Sequence, residues 1–376
     1  MPERPSGPAP FVPDYQVPPG ASLREKLAEL GLTQADLALR TGLSTKHVNQ
    51  VVQGFAPITQ ESALLFEAVT GIPAHVWNQL EASYRESLAR TERRKALAAD
   101  LGWLDELPIH ELQRRGYLPK LPDRYALLEK VCEFFGVTDR DSWKRAWLKP
   151  AASFRRSPTL KGDSSVLVSW VRMAETDAMR VQTKPYDAGG FRRILTEARS
   201  LTLTDAAQAF PRLQRECATV GVATVLVEEI AGARVSGVAR WLSPTKAMIA
   251  LTGRGKREDL LWFSFFHEAA HVLKHSKKET FIDDDVSAGD PEEVEANRLA
   301  ELMLIPREYE HRLTALASTE DIVAFADEVG VAPGTVVGRL QSMGVLGWRV
   351  TANKLKRKFD PRDTPQVFNG PGEPGS

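Results

Sequence analysis

The sequence predicts a mainly α-helical chain with one small antiparallel β-sheet, an α+β arrangement. Three observations predict it. From Ser22 to about residue 95, apolar residues recur at helical spacing between glycine stops. β-Branched runs bounded by turn residues are confined to a short region from Val222 to about Gly253. Beyond that region the helical period returns in "LLWFSFFHEAAHVLKH" and in "PEEVEANRLAELMLIP". A chain of 376 residues is long enough for two or three such domains, and a composition of 43% hydrophobic and 26% charged residues suits globular folding.

The first 20 residues are rich in proline and lack periodicity, so an extended or disordered arm is expected there. "SLREKLAELG" then places Leu23, Leu27 and Leu30 on one helical face, stopped by Gly31. "LTQADLALRTG" follows, with Thr33 and Asp36 as a capping box and Gly42 as the stop. A third helix starts at Ser44 or Thr45 and ends at Gly54; "ITQESALLFEAVTG" is a fourth, and Pro73 sits near the start of a long fifth. Residues 21–95 thus read as a five-helix domain. Residues 96–220 read as a helical linker domain whose Trp143, Trp147 and Trp170 serve its core. "GVATVLVEEI", "GVARWLS" and "KAMIALTG" give three strands, expected as an antiparallel sheet. A helix from about Glu258 to His275, an acidic loop, a helix from Glu292 to Leu304 and a final helix-turn-helix rhythm complete a domain at 221–345. Residues 346–376 are expected to be a largely disordered tail.

Charge and cysteine content exclude little but point one way. Lys+Arg and Asp+Glu both total 49, so any DNA contact must come from a local patch. Cys132 and Cys217 stand in separate apolar runs and suit a reducing compartment rather than a disulfide scaffold. No signal-peptide core and no apolar run of spanning length is present, so a soluble cytoplasmic protein with no membrane partner is expected.

"TQADLALRTGLSTKHVNQVVQG" has the arithmetic of two helices joined by a tight turn at Gly42. Leu37, Ala38, Leu43, Val48 and Val51 would pack the pair together. Gln34, Ser44, Thr45, Lys46, Asn49 and Gln50 lie at the helix starts or face outward, where short polar side chains reach base edges or phosphates of double-stranded DNA. The domain is nearly neutral and Lys46 is the one cation among those residues, which leaves a protein-binding or purely structural bundle open. With "PIT" and "PAHVW" following, residues 22–95 resemble the XRE/Cro-type repressor domain of HigA-type antitoxins. That resemblance implies operator binding, with a homodimer as the expected state.

In "HEAAH", His267 and His271 are four apart and share a helix face, a spacing that lets two imidazoles hold one Zn²⁺. Glu268 is rotated by roughly 100° on the helix and is the candidate general base, taking a proton from water and passing it to a leaving amine. The motif alone leaves a buried helix with satisfied core histidines open. A catalytic zinc needs a third ligand, and "PEEVEANRLAELMLIP" offers one. Glu293 is the candidate, with Asn297 four residues on to orient a histidine, Glu295 pointing elsewhere and Glu292 serving the first turn. His275 continues the histidine stripe but lies about 12 Å along the axis from His267 at 1.5 Å per residue, so at most it stands behind the ligands or meets the transition state, and a purely structural role is equally open. The triplet Asp283–Asp285 reads as a solvated surface loop.

"ARWLSPTKAMIAL", "WFSFFHEAAHVLKH", "EEVEANRLAELMLIP" and "GTVVGRLQ" together resemble the ImmA/IrrE metallopeptidases. That resemblance implies a zincin-like domain with His267, His271 and Glu293 on zinc, Glu268 as general base, and Ala270 where glycine is common. The two resemblances imply a DNA-binding transcriptional regulator whose zinc-dependent endopeptidase cleaves a protein partner, a regulator or a toxin-related protein, in a stress or phage response. The alternative is a HigA-like antitoxin and repressor whose zinc site is structural or sensory and does not turn over.

Overall fold

The computed structural model describes residues 17–148, 164–275, 280–283 and 291–367. They divide into two compact units, one ending at Leu101 and one starting at Gly102. The proline-rich arm through residue 16, Asp284 and Asp285 of the acidic loop, and the end of the chain beyond residue 367 lie outside the described residues. Among the described residues no helix is long and apolar enough to cross a membrane.

The first unit carries the five expected helices: α1 (Pro19–Glu29), α2 (Gln34–Thr41), α3 (Thr45–Val52), α4 (Gln60–Thr70) and α5 (Ala74–Ala98). α1 begins earlier than the arm reading allowed, because Pro19 sits in the first turn, where a missing N–H costs nothing. Local chemistry sets the other boundaries. The Asp36 N–H donates to the Thr33 hydroxyl at 3.1 Å while the Thr33 N–H donates to the Asp36 carboxylate at 2.9 Å, closing the capping box. Ser44 caps α3 by accepting from the His47 N–H at 3.1 Å. Gly42 takes φ 74° to end α2, a conformation that a side chain would strain. Leu23, Leu37, Val48, Val51, Phe66 and Trp77 form the core.

The second unit contains α6 (Ile109–Arg114), α7 (Arg124–Phe135), α8 (Arg140–Trp143), α9 (Ser164–Arg180), α10 (Ala188–Ala198) and α11 (Ala206–Ala218). The strands β1 (Val222–Leu226), β2 (Gly237–Ser243) and β3 (Lys246–Leu251) follow. After them come α12 (Glu258–Lys274), β4 (Thr280–Asp283), α13 (Pro291–Leu304), α14 (Thr319–Val329) and α15 (Pro333–Ser342). The helical region before the sheet is tied to the segment that follows β1: Trp170 Nε1 donates to the Val227 carbonyl at 3.0 Å, and Arg115 to the Glu229 carbonyl at 3.0 Å.

The α+β class holds, but the sheet is mixed and four-stranded, in the order β1-β3-β2-β4. β2 and β3 form the expected antiparallel hairpin, whereas β1 pairs with β3 in parallel, Val222 opposite Ala247. The chain crosses from β1 past the place of β3 to lay down β2, then turns back to fill the gap. Continuous burial along β1 is the mark of a strand covered on both faces, as parallel strands are. β4 adds to the far side of β2, Gly237 opposite Asp283.

The C-terminal segment also departs from expectation. Residues 346–367 are placed against the second unit rather than forming a loose tail. Phe359 is buried, its N–H donates to the Lys256 carbonyl at 2.9 Å, and Arg257 bridges Lys358. The Gln366 side chain bonds both backbone groups of Leu226, answering the open edge of β1. Lys356 Nζ meets the Asp259 carboxylate at 2.6 Å with both side chains 2% exposed, and donates to the Gln341 amide oxygen at 2.8 Å. Removing one member of such a pair strands the other charge. The variant Lys356→Met should therefore lose about 3–5 kcal/mol in chemical unfolding of the second unit. Pairing it with Asp259→Leu should recover much of that loss, and a single variant of unchanged midpoint would refute the account.

Candidate metal centre

α12 runs through the core of the second unit, and its apolar residues Leu261, Trp262, Phe265, Phe266, Ala269 and Val272 belong to that core. Its acidic first turn complements the helix dipole, and each carboxylate has a fixed partner. Glu258 accepts from the Ala206 N–H at 2.8 Å and pairs with Arg357 at 2.6 Å, while Asp259 pairs with Lys356. With the front of the helix so anchored, His267 and His271 fall one turn apart on the face toward α13. Ala296, fully buried, keeps a small residue at that helix contact.

Three side chains converge there. His267 Nε2 and His271 Nε2 are 3.0 Å apart. Glu293 Oε2 lies 3.0 Å from the first and Oε1 3.5 Å from the second. All three residues are buried, at 1%, 1% and 8% exposure. A tetrahedral ion with bonds of about 2.0–2.1 Å has ligand atoms separated by about 3.3–3.4 Å, which these spacings bracket. The surroundings favour the ligand forms. Burial lowers the pKa of His271 from the ordinary histidine value, against the pull of Glu293. Burial alone would raise that of Glu293, but hydrogen bonds from both histidines outweigh it and hold the carboxyl at about 2.

The hydrogen bonds behind the cluster point the same way. His267 Nδ1 lies 2.9 Å from the Asn297 side-chain oxygen, an acceptor that suits a ring proton on Nδ1 and so leaves Nε2 for an ion. Without an ion the two Nε2 atoms share protons with the Glu293 carboxylate, and a divalent cation would take the place of those protons. The residues present therefore fit a zinc ion. Among the described residues this is the one group of at least three histidine, cysteine or acidic side chains placed to hold a metal.

Glu268 is fully buried, and its carboxylate lies against the backbone of Gly237. A Cβ at Gly237 would stand 2.7 Å from Glu268 Oε1, too close for both to keep their places. Gly237 is thus a position that the sequence reading missed and that sets the space around Glu268; its one signal was a glycine opening a strand that a β-branched residue would suit better. Glu295 lies outside the cluster, 3.5 Å from His275 Nε2, and His275 in turn stands behind His271, with 2.8 Å between their Nδ1 atoms.

The residues singled out for DNA lie in the first unit. Ser44, Thr45, Lys46 and Asn49 are exposed along the start and outer face of α3, and Gln34 and Gln50 are half-buried. Asn49 Nδ2 donates to Gln34 Oε1 at 3.2 Å, tying the first residue of α2 to the outer face of α3. Leu37 and Val48, both fully buried, hold the pair together as expected.

Residues 223–341 match the peptidase family described as the IrrE N-terminal-like domain, and residues 23–77 match the helix-turn-helix family. No curated protein matches the chain. Among solved structures, one similar chain is an addiction module antidote protein of a HigA family from Coxiella burnetii. It is 25% identical, with 22% of this chain and 92% of that one covered and a TM-score of 0.21.

The lowered pKa values of His271 and Glu293 give a pH dependence of one sign. Between its folded and unfolded values, each group takes up a proton in the unfolded chain before it does so in the folded one. Metal-free protein should lose stability as pH falls below the ordinary histidine value of 6.5, and again below 4.5 as Glu293 approaches about 2. Unfolding midpoints from pH 7.5 to 4 check this. A flat profile for the metal-free chain, or an unchanged slope near pH 6 in His271→Gln, would contradict it.

Proposed function

We propose that this protein is a cytoplasmic DNA-binding transcriptional regulator, acting as a homodimer, that also carries a zinc-dependent endopeptidase directed at a protein partner. The observation that carries the reading is the buried convergence of His267, His271 and Glu293 beside Glu268. A structural zinc site has no use for a fully buried carboxylate one position from a ligand; a hydrolytic site does. In this reading residues 21–95 contact DNA, 96–220 link and support, and 221–345 perform the cleavage of a regulator or toxin-related protein in a stress or phage response.

Each side chain has a separate task. His267, His271 and Glu293 hold the ion, and Asn297 keeps the His267 lone pair aimed at it. When bound, zinc supplies Lewis acidity that polarises a peptide carbonyl and eases the loss of a proton from water. Glu268 would receive that proton as the water oxygen adds to the carbonyl carbon, and would hand it to the amide nitrogen as the C–N bond breaks and the amine leaves. The surface of Gly237, lacking a side chain, leaves room for the Glu268 carboxylate to do so.

Freshly purified protein should contain about one zinc per chain by elemental analysis. Glu268→Gln should keep that zinc and reduce cleavage by about 10²–10⁴-fold. Because the partner is unidentified, the readout is new protein N-termini in cells expressing either form. N-termini that depend on Glu268 identify the substrate, and an identical set from both forms would overturn the assignment of an endopeptidase.

For the first unit, selection from a pool of random double-stranded DNA should enrich one sequence. Asn49→Ala or Thr45→Ala should cost about 1–3 kcal/mol at a contacted base, and Lys46→Ala should weaken all sequences alike. Failure of the intact protein to enrich any sequence would leave the bundle without a DNA role.

A further inference from the structure

We infer that a cavity beside the metal centre, walled by Ser236, Arg254 and Ser264, receives an acidic side chain of the protein substrate and so selects where that substrate is cut. The inference rests on the endopeptidase reading above and deepens it, because it names the chemistry of a residue close to the scissile bond.

The cavity has a volume of about 400 Å³, within the range of about 300–1,000 Å³ usual for ligand sites. Two walls enclose it. One is the first half of α12, which presents Leu260, Leu261, Phe263 and Ser264. The other joins Ser236, just ahead of β2, to the turn after β3 that carries Arg254. Both walls lead to the metal centre. Phe263 stands one helical turn before His267, their ring centroids 6.3 Å apart, and Ser264 stands one turn before Glu268. Ser236 immediately precedes Gly237, whose backbone lies against the Glu268 carboxylate. A substrate whose carbonyl reaches the histidine cluster thus has this cavity within range of a neighbouring side chain.

The turn is tied down on both sides. The buried Thr252 hydroxyl donates to the Val235 carbonyl at 2.9 Å, and the Thr252 N–H donates to the Ser236 carbonyl at 3.0 Å. The Arg254 N–H in turn donates to the Thr252 hydroxyl at 3.1 Å. From below, Phe359 packs so closely that a Cβ at Gly253 would stand 2.9 Å from its ring. The backbone of Arg254 is therefore fixed at the cavity, with its side chain half-buried.

The lining decides what fits. Leu260, Leu261 and Phe263 suit the methylene groups of a side chain, and the hydroxyls of Ser236 and Ser264 can donate hydrogen bonds. Arg254 supplies the one charge among the lining residues. A guanidinium meets a carboxylate through two parallel N–H···O bonds, bonds a neutral amide more weakly and repels an ammonium. Glutamate or aspartate matches that set, and lysine or arginine does not. Arg254 is thereby a specificity-determining residue that touches substrate away from the reacting atoms.

The test uses the zinc-loaded full chain and a random-sequence peptide library, with cut bonds read by mass spectrometry. An acidic residue should be enriched at one position within two residues of the cut. A peptide pair differing there as glutamate against glutamine should differ about 10–100-fold in kcat/KM. Arg254→Gln should bring that ratio close to one with zinc retained, Arg254→Lys should keep a smaller preference for glutamate, and Arg254→Glu should turn the preference toward lysine. Binding is read apart from cleavage, by ligand-observed NMR titration of blocked Ala-Glu-Ala and Ala-Gln-Ala tripeptides. The glutamate tripeptide should bind more tightly to the wild type, and the difference should vanish in Arg254→Gln. No difference between the tripeptides, a difference that survives Arg254→Gln, or cuts without an acidic preference overturns the inference. The endopeptidase reading fails separately: a zinc-loaded chain that holds the glutamate tripeptide through Arg254 yet cuts no peptide sinks that reading and keeps the acidic subsite.

Discussion

The second unit depends on one constraint: α12 passes through an apolar core while carrying Glu258, Asp259, Ser264, His267, Glu268 and His271, all buried. Each such group costs free energy unless it is paired or hydrogen-bonded. At the front of the helix the answers are permanent, with Arg357, Lys356 and the Ala206 N–H meeting the two carboxylates. At the rear, two imidazoles and a carboxylate from α13 face one another, and Asn297 and His275 stand behind them. The front fixes the helix axially, so the rear is presented at a set depth. A site of this kind needs rigid support more than it needs an exposed surface.

The two units solve different problems with different chemistry. The first is held by caps, glycine stops and a small apolar core, nearly all of it local in sequence. Most of its polar residues stay outside, with Ser62, Thr70 and Glu81 buried, and the Asn49–Gln34 bond links side chains of two separate helices. The second joins residues far apart in the chain, such as Gln366 with Leu226 and Lys356 with Asp259. A balanced overall charge of 49 against 49 conceals this contrast: ion pairs of the first unit, such as Lys26–Glu29 and Arg90–Glu86, join near neighbours in sequence, whereas Lys356–Asp259 and Arg357–Glu258 join distant segments.

This contrast explains what the sequence disclosed. Thr33, Asp36, Gly42 and Ser44 act on neighbours within four residues, so the helix-turn-helix was readable with its boundaries. The i, i+4 histidines and the helix bearing Glu293 were readable for the same reason, since periodicity fixes a face. Strand order was not: nothing in "VATVL" states that β3 rather than β2 will lie beside it, or that the pairing will be parallel. Gly237 gave little signal because what matters there is what a side chain would strike on another element. The segment after residue 346 looked loose because its proline, glycine and charge content suggests solvation. Much of its order comes from partners far upstream in the chain, such as Asp259 and Leu226.

That last feature bears on how the molecule comes into being. A ribosome completes the first unit once Leu101 has emerged, and every contact that unit needs is then available. The second unit must wait. The charges at the head of α12 go unanswered until Lys356 and Arg357 have been made, and the edge of β1 is unsealed until Gln366 follows. Synthesis therefore separates the two units in time, so that a nascent chain has a finished helix-turn-helix well before the helix bearing His267 and His271 is locked into its core.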